Sequence, residues 1–381
     1  MRSELRPYQT AAVQQTRAHW AAGRLRVCVV LPTGAGKTVV AGALLSGARR
    51  PLAIVHTDTL RSQTRARLSP HVRVETVQGL LCRRAAVDAD VVFWDECHHA
   101  VSEQWRRAMA LLPRDVRVVG CTATPERADG TPLGDLFQAL VCTASYSTLL
   151  AGGWLAPARV VPTVGMDPAA AYLAAGQGRP CILFAPTIAE CRTAVDVLRA
   201  RGVRAACLDS TVPDGVRAAL VAAYDAGGLD LLASPMALAE GFDSPRAAVC
   251  VLARTCVHSG TYLQVANRVT RPHTTKTAVA PALLLDCTGA AERHGHPTED
   301  RTYSLKGGIG RARPAATPRP ASAAPRSAAT PVPRSAVRPV TPAARRAAPL
   351  ADRILAAVPR TPRAAGRTIG AVLRAWWLRV A

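Results

Sequence analysis

The strongest constraint on the fold of this chain is a glycine-containing segment at residues 31–38, with the sequence LPTGAGKT. An apolar run at 25–31 leads into the segment, and a stretch of helical pattern at 39–48 follows it. Glycines at such a junction let the backbone curl until its N–H groups and the helix N-terminus face a phosphate. The segment therefore predicts a phosphate-binding loop of the P-loop type, although Leu31 stands where the usual pattern has its first glycine.

Six residues of this loop are candidate nucleotide contacts. The Lys37 ammonium group would reach the β- and γ-phosphates, and the Thr38 hydroxyl group would bind Mg²⁺. The six are Thr33, Gly34, Ala35, Gly36, Lys37 and Thr38.

A second motif, VVFWDECHH at residues 91–99, ends an apolar strand pattern in two adjacent carboxylates. Asp95 would hold the Mg²⁺ ion at the carboxyl end of the strand. Glu96 would orient and deprotonate a water molecule for attack on the γ-phosphate. The two motifs together predict an enzyme that hydrolyses a nucleoside triphosphate with the help of Mg²⁺.

The hydrophobic pattern predicts an α/β fold, because short apolar runs alternate with helical stretches. The runs lie at 25–31, 52–56, 91–95, 116–121, 181–185, 229–233, 248–252 and 282–286. A stretch punctuated by Gly and Pro, at 152–168, divides them into two clusters of domain size. We therefore expect two domains, each with a parallel sheet covered by helices.

Composition narrows the class of protein. With 49% hydrophobic residues among 381, the chain can bury the cores of two or three domains, which excludes a wholly disordered protein. The 11 cysteines form no C-x-x-C pair, which argues against a disulfide framework or a zinc site. Because the chain opens on a polar segment and no apolar run reaches about 18 residues, we expect a cytoplasmic protein without stable membrane association.

Charge is concentrated at one end of the chain. The net charge of +22 favours a polyanionic partner, but a chain so rich in Arg and Ala is also typical of a GC-rich coding sequence. Residues 311–381 carry 14 Arg, a single acidic residue and 11 of the 29 prolines, which predicts a disordered basic tail. Apolar residues at 369–380 recur with helical spacing, which predicts a short amphipathic helix. Such a helix either docks on a partner or contacts a membrane surface, or it packs on the body or frays.

Residues 4–310 resemble a superfamily 2 helicase of the DEAD/DEAH-box type, because further motifs of that family follow in the family's order. The closing segment at 285–305 is similar to that of compact bacterial and phage-type members related to the repair and transcription DNA translocases. The resemblance implies two tandem RecA-like P-loop domains, at 1–155 and 156–310, followed by the basic tail at 311–381.

Three motifs of the first domain carry this resemblance. LRPYQ at residues 5–9 is similar to the Q motif, which implies that Gln9 hydrogen-bonds the adenine base and that Arg6 supports it. Segments at 53–63 and 75–79 resemble the motifs that touch the nucleic-acid backbone. They imply phosphate contacts by Thr57, Thr76 and Gln78.

The remaining motif of the first domain, CTATP at residues 121–125, resembles motif III, which couples nucleotide state to strand movement in the family. The resemblance implies that Thr122 and Thr124 link the two carboxylates to the second domain.

In the second domain, residues 184–187 and 233–245 resemble motifs IV and V. They imply that Ser234 faces a strand phosphate and that Gly241 and Asp243 face the nucleotide. His294 and His296 lie within the closing segment, and no further cluster of His or Cys residues supports a metal site, so we interpret them as part of a structural loop.

The sequence QVANRVTR at residues 264–271 resembles motif VI. It implies a catalytic Gln264 and two arginine fingers, Arg268 and Arg271, which would share one face of a helix at i and i+3. The family usually has glycine immediately before the first finger, and this chain has Asn267. We expect the Asn267 side chain either to crowd the cleft or only to contact it.

The resulting hypothesis is an ATP- and Mg²⁺-dependent helicase or translocase that moves along nucleic acid, DNA rather than RNA, with a protein partner for the tail left open. Whether such a protein separates strands or only translocates stays open. An alternative, prompted by Asn267, is an ATP-switched nucleic-acid-binding or scaffold protein with little turnover. The ordered motifs of the second domain disfavour a third reading, a small-molecule kinase.

Overall fold

The computed structural model describes residues 4–83, 86–101, 103–125, 131–235 and 242–311. Residues 4–210 and 230–311 form one unit, which contains two parallel sheets covered by helices. The predicted α/β fold class is therefore confirmed. Residues 211–229 belong to a second unit and are described separately below.

The first sheet has six strands, all parallel, in the order β3-β2-β4-β5-β1-β6. Its strands are β1 (Arg26–Val30), β2 (Pro51–Val55), β3 (Arg73–Thr76), β4 (Val91–Asp95), β5 (Arg117–Thr122) and β6 (Ala139–Cys142). The helices of the same part of the chain are α1 (Pro7–Ala21), α2 (Lys37–Leu45), α3 (Asp58–Arg67), α4 (Val77–Arg83), α5 (Glu103–Ala110) and α6 (Tyr146–Ala151).

The central strands of this sheet are buried on both faces, which is why their sequences are continuous apolar runs rather than alternating ones. Parallel strands end at the same edge of a sheet, and only β5 lies between β1 and β4. The loop after β1 and the carboxylates at the end of β4 are therefore neighbours at that edge.

The second sheet also has six parallel strands, in the order β7-β12-β11-β8-β10-β9. Its strands are β7 (Ala158–Pro162), β8 (Cys181–Phe184), β9 (Ala205–Cys207), β10 (Leu231–Ala233), β11 (Val249–Leu252) and β12 (Ala282–Asp286). The helices of this part are α7 (Pro168–Ala175), α8 (Ile188–Ala200), α9 (Asp214–Asp225), α10 (Ser259–Ala266) and α11 (Ala290–His294), of which α9 lies in the second unit.

The stretch at 152–168, between the two clusters of apolar runs, also contains a strand that the hydrophobic pattern did not indicate. β7 pairs with β12 at the edge of the second sheet, and its residues are at most half-buried. A half-exposed edge strand that ends in Pro162 gives a weak hydrophobic signal, and the pairing with β12 stabilises it. The predicted domain boundary at 155/156 lies between β6 and β7.

The closing segment returns to the first sheet. It forms a hairpin of β13 (Arg301–Tyr303) and β14 (Ile309–Arg311), so Arg311 completes a strand instead of opening the tail. Tyr303 and Leu305 pack against buried side chains of the first sheet. The backbone N–H of Gly134 donates to the Leu305 carbonyl oxygen at 2.8 Å.

The described part of the second unit contains α9, a 12-residue helix. Asp214 lies in its first turn, where a negative charge stabilises the helix through its dipole. Residues 312–381, which include the predicted tail and terminal helix, lie outside the described residues. Among the described helices, none combines the length and the apolar character that crossing a bilayer requires.

Candidate functional site

The loop between β1 and α2 has the geometry of a phosphate cradle. Gly34 and Gly36 have φ angles of 88° and 85°, in the left-handed region that favours glycine. A Cβ atom added at Gly36 would lie 2.5 Å from Gln9 Nε2, and one at Gly34 would lie 3.3 Å from Leu155 Cδ2. The backbone conformation therefore requires glycine at both positions, and a side chain at either would also have to displace a neighbouring side chain. Lys37 is the first residue of α2, so the helix N-terminus opens at this loop.

Residues of the predicted Q motif pack directly on this loop. Gln9 Nε2 donates to the Ala35 carbonyl oxygen at 3.1 Å, and Gln9 Oε1 accepts from the Arg6 backbone N–H at 3.0 Å. The Tyr8 hydroxyl group also donates to the Ala35 oxygen, at 2.8 Å, and accepts from the Arg6 guanidinium group at 3.1 Å. Each polar atom of the Gln9 side chain thus has one partner in the protein, and one amide hydrogen and one oxygen lone pair remain for a base.

An ion pair joins the loop to the two carboxylates. Lys37 Nζ lies 2.7 Å from Glu96 Oε1, and both side chains are largely buried. Glu96 follows the last residue of β4 with a φ angle of 46°, an uncommon conformation for a residue with a side chain. Such strained conformations are concentrated at functional sites, which supports the choice of Glu96 as a candidate catalytic residue.

The two carboxylates have opposite pKa shifts. Burial and the neighbouring Glu96 charge raise the pKa of Asp95 to about 6. Burial also disfavours the Glu96 charge, but the positive charge of Lys37, with His98 and Arg268, lowers the pKa of Glu96 to about 2. Burial opposes the Lys37 charge as well, yet the attraction of Glu96 and Asp95 raises the pKa of Lys37. At neutral pH the site therefore contains a charged Lys37–Glu96 pair beside a carboxyl group that is readily protonated.

His98 lies between the carboxylates and the predicted coupling residues, with its Nδ1 atom 3.5 Å from Glu96 Oε2. His98 Nδ1 lies 3.0 Å from Thr122 Oγ1, which donates to the Thr124 carbonyl oxygen at 2.8 Å. A Cβ atom added at Gly260 in α10 would lie 3.2 Å from Thr124 Oγ1. Thr122 and Thr124 therefore lie between the end of β4 and the helix that leads to the predicted fingers.

The finger residues do not share a helix face as expected. α10 ends at Ala266, a 3₁₀ turn covers Asn267–Thr270, and Arg271 is extended with a ψ angle of 136°. The residue after Arg271 is Pro272, which disfavours helical backbone in the residue before it, and this ends the turn. The expected single helix is therefore wrong, whereas both arginines still lie close to the loop and the carboxylates.

Each finger has a partner in the predicted motif V. Arg268 donates from Nη1 to the Phe242 carbonyl oxygen at 2.7 Å, and it lies near enough to Glu96 to lower the pKa of that group. Arg271 forms an ion pair with Asp243, which also binds Arg67 Nη2 at 2.7 Å. Asp243 thus joins α3 of the first sheet to the finger region.

Gln264 and Gly241 are two further predicted residues of motifs VI and V. Gln264 is buried in α10, one turn before the first finger. Gly241 lies outside the described residues, so its predicted nucleotide contact has no structural description.

Asn267 lies outside the cleft. It is fully buried, and Nδ2 donates to the Tyr146 hydroxyl oxygen at 2.9 Å and to the Pro297 carbonyl oxygen at 3.0 Å. The expectation that this side chain crowds or contacts the nucleotide cleft is therefore wrong, because its amide binds two protein oxygens elsewhere.

The predicted nucleic-acid contacts fall into two groups. Thr57 and Gln78 are exposed, although Thr57 Oγ1 also accepts from the Leu60 N–H as the N-cap of α3. Thr76 and Ser234 are buried, and Thr76 Oγ1 accepts from the Gly79 N–H at 3.1 Å. Only Thr57 and Gln78 therefore present side chains that a phosphate of the nucleic-acid backbone can reach directly.

Several residues at the site have no place among the sequence-based predictions. Trp154 packs against Tyr8, with 5.0 Å between ring centroids, and the Arg6 guanidinium carbon lies 5.9 Å from the Trp154 ring centroid. Tyr8 was within reach of prediction, since it adjoins Gln9. Arg67 and Trp154 were not, because only the tertiary fold brings them to the loop.

Residues 2–81 match the family described as type III restriction enzyme, res subunit, and residues 167–273 match the helicase conserved C-terminal domain. A 51.5 kDa protein of a Lactococcus phage (isolate 7-9) is 23% identical over 304 residues, which cover 70% of this chain and 66% of the relative. The DNA 3'-5' helicase XPB of Kineococcus radiotolerans is 30% identical over 192 residues, which cover 41% of this chain and 33% of the relative.

Among solved structures, a fragment of a protein assigned as the HsdR subunit of a type I restriction enzyme from Vibrio vulnificus YJ016 has the same fold. It superposes with a TM-score of 0.61 at 21% identity, over 76% of this chain and 65% of that chain. The matched regions cover less than two thirds of each of these three proteins.

Two RecA-like sheets, a phosphate cradle and paired carboxylates define a P-loop protein of the helicase-like class. One family match falls in the part of the chain that carries the cradle, and the other falls in the second sheet. These matches support a superfamily 2 helicase, which confirms the resemblance seen in the sequence. Members of this superfamily use ATP, normally with Mg²⁺.

Proposed function

We propose that this protein is an ATP-dependent helicase or translocase that acts on nucleic acid, with DNA as the preferred polymer. The observation that carries the proposal is the convergence of three groups from distant parts of the chain. Lys37 binds Glu96, Arg268 lies near Glu96, and Arg271 lies against the loop, where its Cγ atom is 3.6 Å from a Cβ added at Gly34.

The residues present fit a nucleoside triphosphate. Two glycines with positive φ form a cradle that a Cβ would fill, and a buried ammonium group opens onto it. Arg271 Nε is buried without a hydrogen-bond acceptor in the described part of the chain. A buried guanidinium donor of this kind favours an anionic ligand, because leaving it unpaired costs free energy.

The residues that would hold Mg²⁺ are Thr38 and Asp95. No group of three or more His, Cys, Asp or Glu side chains among the described residues is arranged to bind a metal ion. Mg²⁺ is usually bound by one or two protein ligands together with substrate phosphates, so this pair is sufficient. The ion would supply positive charge against the phosphate oxygens.

Lys37 would bind the phosphates, and Glu96 would accept the proton of the attacking water. Before ATP binds, the Lys37 ammonium group neutralises the Glu96 carboxylate at 2.7 Å. The phosphates would compete for Lys37, and Glu96 would then be free to accept a proton from the attacking water. While Lys37 is bound, the low pKa of Glu96 keeps the carboxylate ionised. Loss of Lys37 to the phosphates would raise that pKa and make Glu96 a stronger base.

Arg268 and Arg271 would stabilise the charge that develops on the γ-phosphate, with Gln264 as a further candidate contact. Asp243, which holds Arg271 through an ion pair, would release it or turn with it when the phosphate arrives. Thr122 and Thr124 would pass the change at the carboxylates to α10, since they lie between the two.

The polymer assignment rests on two observations. The net charge of +22 favours a polyanion, and a relative with 30% identity over part of its length is named as a DNA helicase. Thr57 and Gln78 are the exposed candidates for phosphate contact, so they would bind the strand without reading its sequence. The basic tail would add affinity that weakens as salt concentration rises.

The test is steady-state phosphate release by the purified chain with and without single-stranded and duplex DNA and RNA. We expect several-fold stimulation by one polymer, and loss of turnover in Lys37→Ala and Glu96→Gln. If ATP binds but turnover does not exceed that of the two variants, the protein is an ATP-switched binding protein and the motor proposal is wrong.

A further inference from the structure

Asn267 is the only asparagine in the chain, and it is fully buried at the first residue of the 3₁₀ turn that carries Arg268. Its two amide hydrogens have two acceptors, the Tyr146 hydroxyl oxygen and the Pro297 carbonyl oxygen. Because the Pro297 oxygen can only accept, the amide nitrogen must face it, which fixes the orientation of the side chain.

The two acceptors belong to different parts of the fold. Tyr146 begins α6 and is buried in the core of the first sheet, together with Leu149 and Leu155. Pro297 lies in the segment between α11 and β13, after the last strand of the second sheet. Asn267 therefore connects the finger turn with the first-sheet core through one hydrogen bond and with the closing segment through the other.

The turn itself is held on its remaining sides. The Thr270 hydroxyl group donates to the Asn267 carbonyl oxygen at 2.9 Å, and the Ala156 N–H donates to the Thr270 carbonyl oxygen at 2.7 Å. The buried Lys276 ammonium group donates to the Val269 carbonyl oxygen at 3.0 Å. These bonds hold the end of the turn, and the Asn267 side chain holds its first residue.

The position of Asn267 also carries a cost. Its Oδ1 atom is buried and has no hydrogen-bond donor within the described residues. If the amide only filled space, a small apolar residue would make the fold more stable, because a buried carbonyl oxygen without a donor destabilises it. The two hydrogen bonds that Nδ2 donates are therefore what the Asn267 amide contributes to the fold.

We propose that Asn267 is a positioning residue that holds the Arg268 turn against the first-sheet core through Tyr146, so that the finger is in place before ATP binds. The part of this inference that concerns Arg268 in turnover rests on the proposed function. The part that concerns the connection between Asn267 and Tyr146 does not.

The connection is tested by hydrogen exchange of the full-length chain without nucleotide. Asn267→Gly removes both hydrogen bonds, and Tyr146→Phe removes one of them with less risk to folding. We expect faster exchange over residues 267–271 in both variants. Tyr172→Phe is the matched control, because the Tyr172 side chain is also buried and its hydroxyl group donates to a carbonyl oxygen, that of Arg179 at 3.0 Å, in α7 and not in the helix that leads to the turn.

The effect on the finger is tested by ATP turnover of the same variants. We expect Asn267→Gly to lower kcat by about 10-fold or more and to change KM by less than about 2-fold, because a displaced finger fails in the transition state rather than in binding. Tyr146→Phe should lower kcat in the same direction, and the double variant should be no slower than Asn267→Gly alone. Tyr172→Phe should leave both constants unchanged.

Two results would overturn the inference. Unchanged exchange over 267–271 in both Asn267→Gly and Tyr146→Phe would show that Asn267 does not hold the turn, whether or not the protein hydrolyses ATP. A kcat that stays the same or rises in Asn267→Gly would show that the turn does not need Asn267 to place Arg268. If the unmodified chain has no turnover but exchange increases in the two variants, the proposed function fails and the connection stands.

Discussion

Replacing Asp95 by asparagine should stabilise the protein in the absence of ligand. The pKa of Asp95 is raised from 3.8 to about 6, because burial and the Glu96 charge disfavour its ionised form. A shift of about 2 pKa units corresponds to roughly 3 kcal/mol. Asparagine keeps the oxygen that accepts from the Glu96 N–H at 3.1 Å but has no charge to bury.

The sign and the pH range of this effect follow from linkage. Below pH 3.8 the carboxyl group is protonated in both folded and unfolded chains, so aspartate and asparagine differ little. Between pH 3.8 and 6 the unfolded chain releases its proton first, and the destabilisation by Asp95 grows until it is complete above pH 6. The advantage of Asp95→Asn should therefore be about 3 kcal/mol at pH 7.5 and about half of that at pH 5.

The assay is thermal unfolding of the chain and the Asp95→Asn variant at pH 5 and pH 7.5, without and with Mg²⁺ and ATP. We expect the variant to have an unfolding midpoint higher by about 5 °C at pH 7.5. It should gain less stability than the unmodified chain on adding Mg²⁺ and ATP, because Asp95 is a proposed ligand.

Asp90→Asn is the control, because we expect it to change the stability in the opposite direction. Burial alone would raise the pKa of Asp90, but hydrogen bonds from the Arg49 and Arg50 N–H groups, at 2.8 and 2.9 Å, lower it. Asp90→Asn should therefore destabilise the protein near neutral pH. A lower midpoint for Asp95→Asn than for the unmodified chain at pH 7.5, or a difference that does not grow between pH 5 and pH 7.5, would refute the reasoning.

Three further predictions concern the loop, the finger turn and the connection to the strand. Gly36→Ala should destabilise the fold and weaken ATP binding more than Gly23→Ala in equilibrium measurements, because both residues have positive φ but only a Cβ at Gly36 meets another side chain. Burial lowers the pKa of Lys276 to about 7, so the unfolded chain binds more protons between pH 7 and 10.5 and stability should rise over that range. Denaturant titrations at pH 7 and 9.5 measure this rise in the free energy of unfolding. The rise should be about 3 kcal/mol smaller for Lys276→Met than for the unmodified chain, and equal rises would contradict the lowered pKa of Lys276. His99 stacks on His56 with 5.0 Å between ring centroids, and His56 precedes the proposed phosphate contact Thr57. His99→Ala should reduce the stimulation of ATP turnover by nucleic acid by roughly 3- to 10-fold while the basal rate changes little, and a proportional loss of both rates would argue against this connection.

The local features of the site could be predicted from the sequence because the chemistry requires particular residues in order. Only glycine adopts the backbone of the loop at Gly34 and Gly36 without strain, and a buried strand that ends in Asp95 and Glu96 has few other uses beside such a loop. Long apolar runs likewise predicted the central strands of both sheets. The weaker strands β3, β6, β7 and β9 were missed, since they are short or partly exposed and depend on their neighbours for pairing.

The sequence by itself determined the class of fold, the phosphate loop, the two carboxylates and the presence of two finger arginines, because each of these depends on residues adjacent in the chain. The tertiary structure decided where those groups lie and what holds them. Asp243 forms ion pairs with both Arg67 and Arg271, while Tyr146 provides the acceptor that draws Asn267 away from the cleft. The partners of that hydrogen bond are 121 residues apart, so no local pattern in the sequence could indicate it.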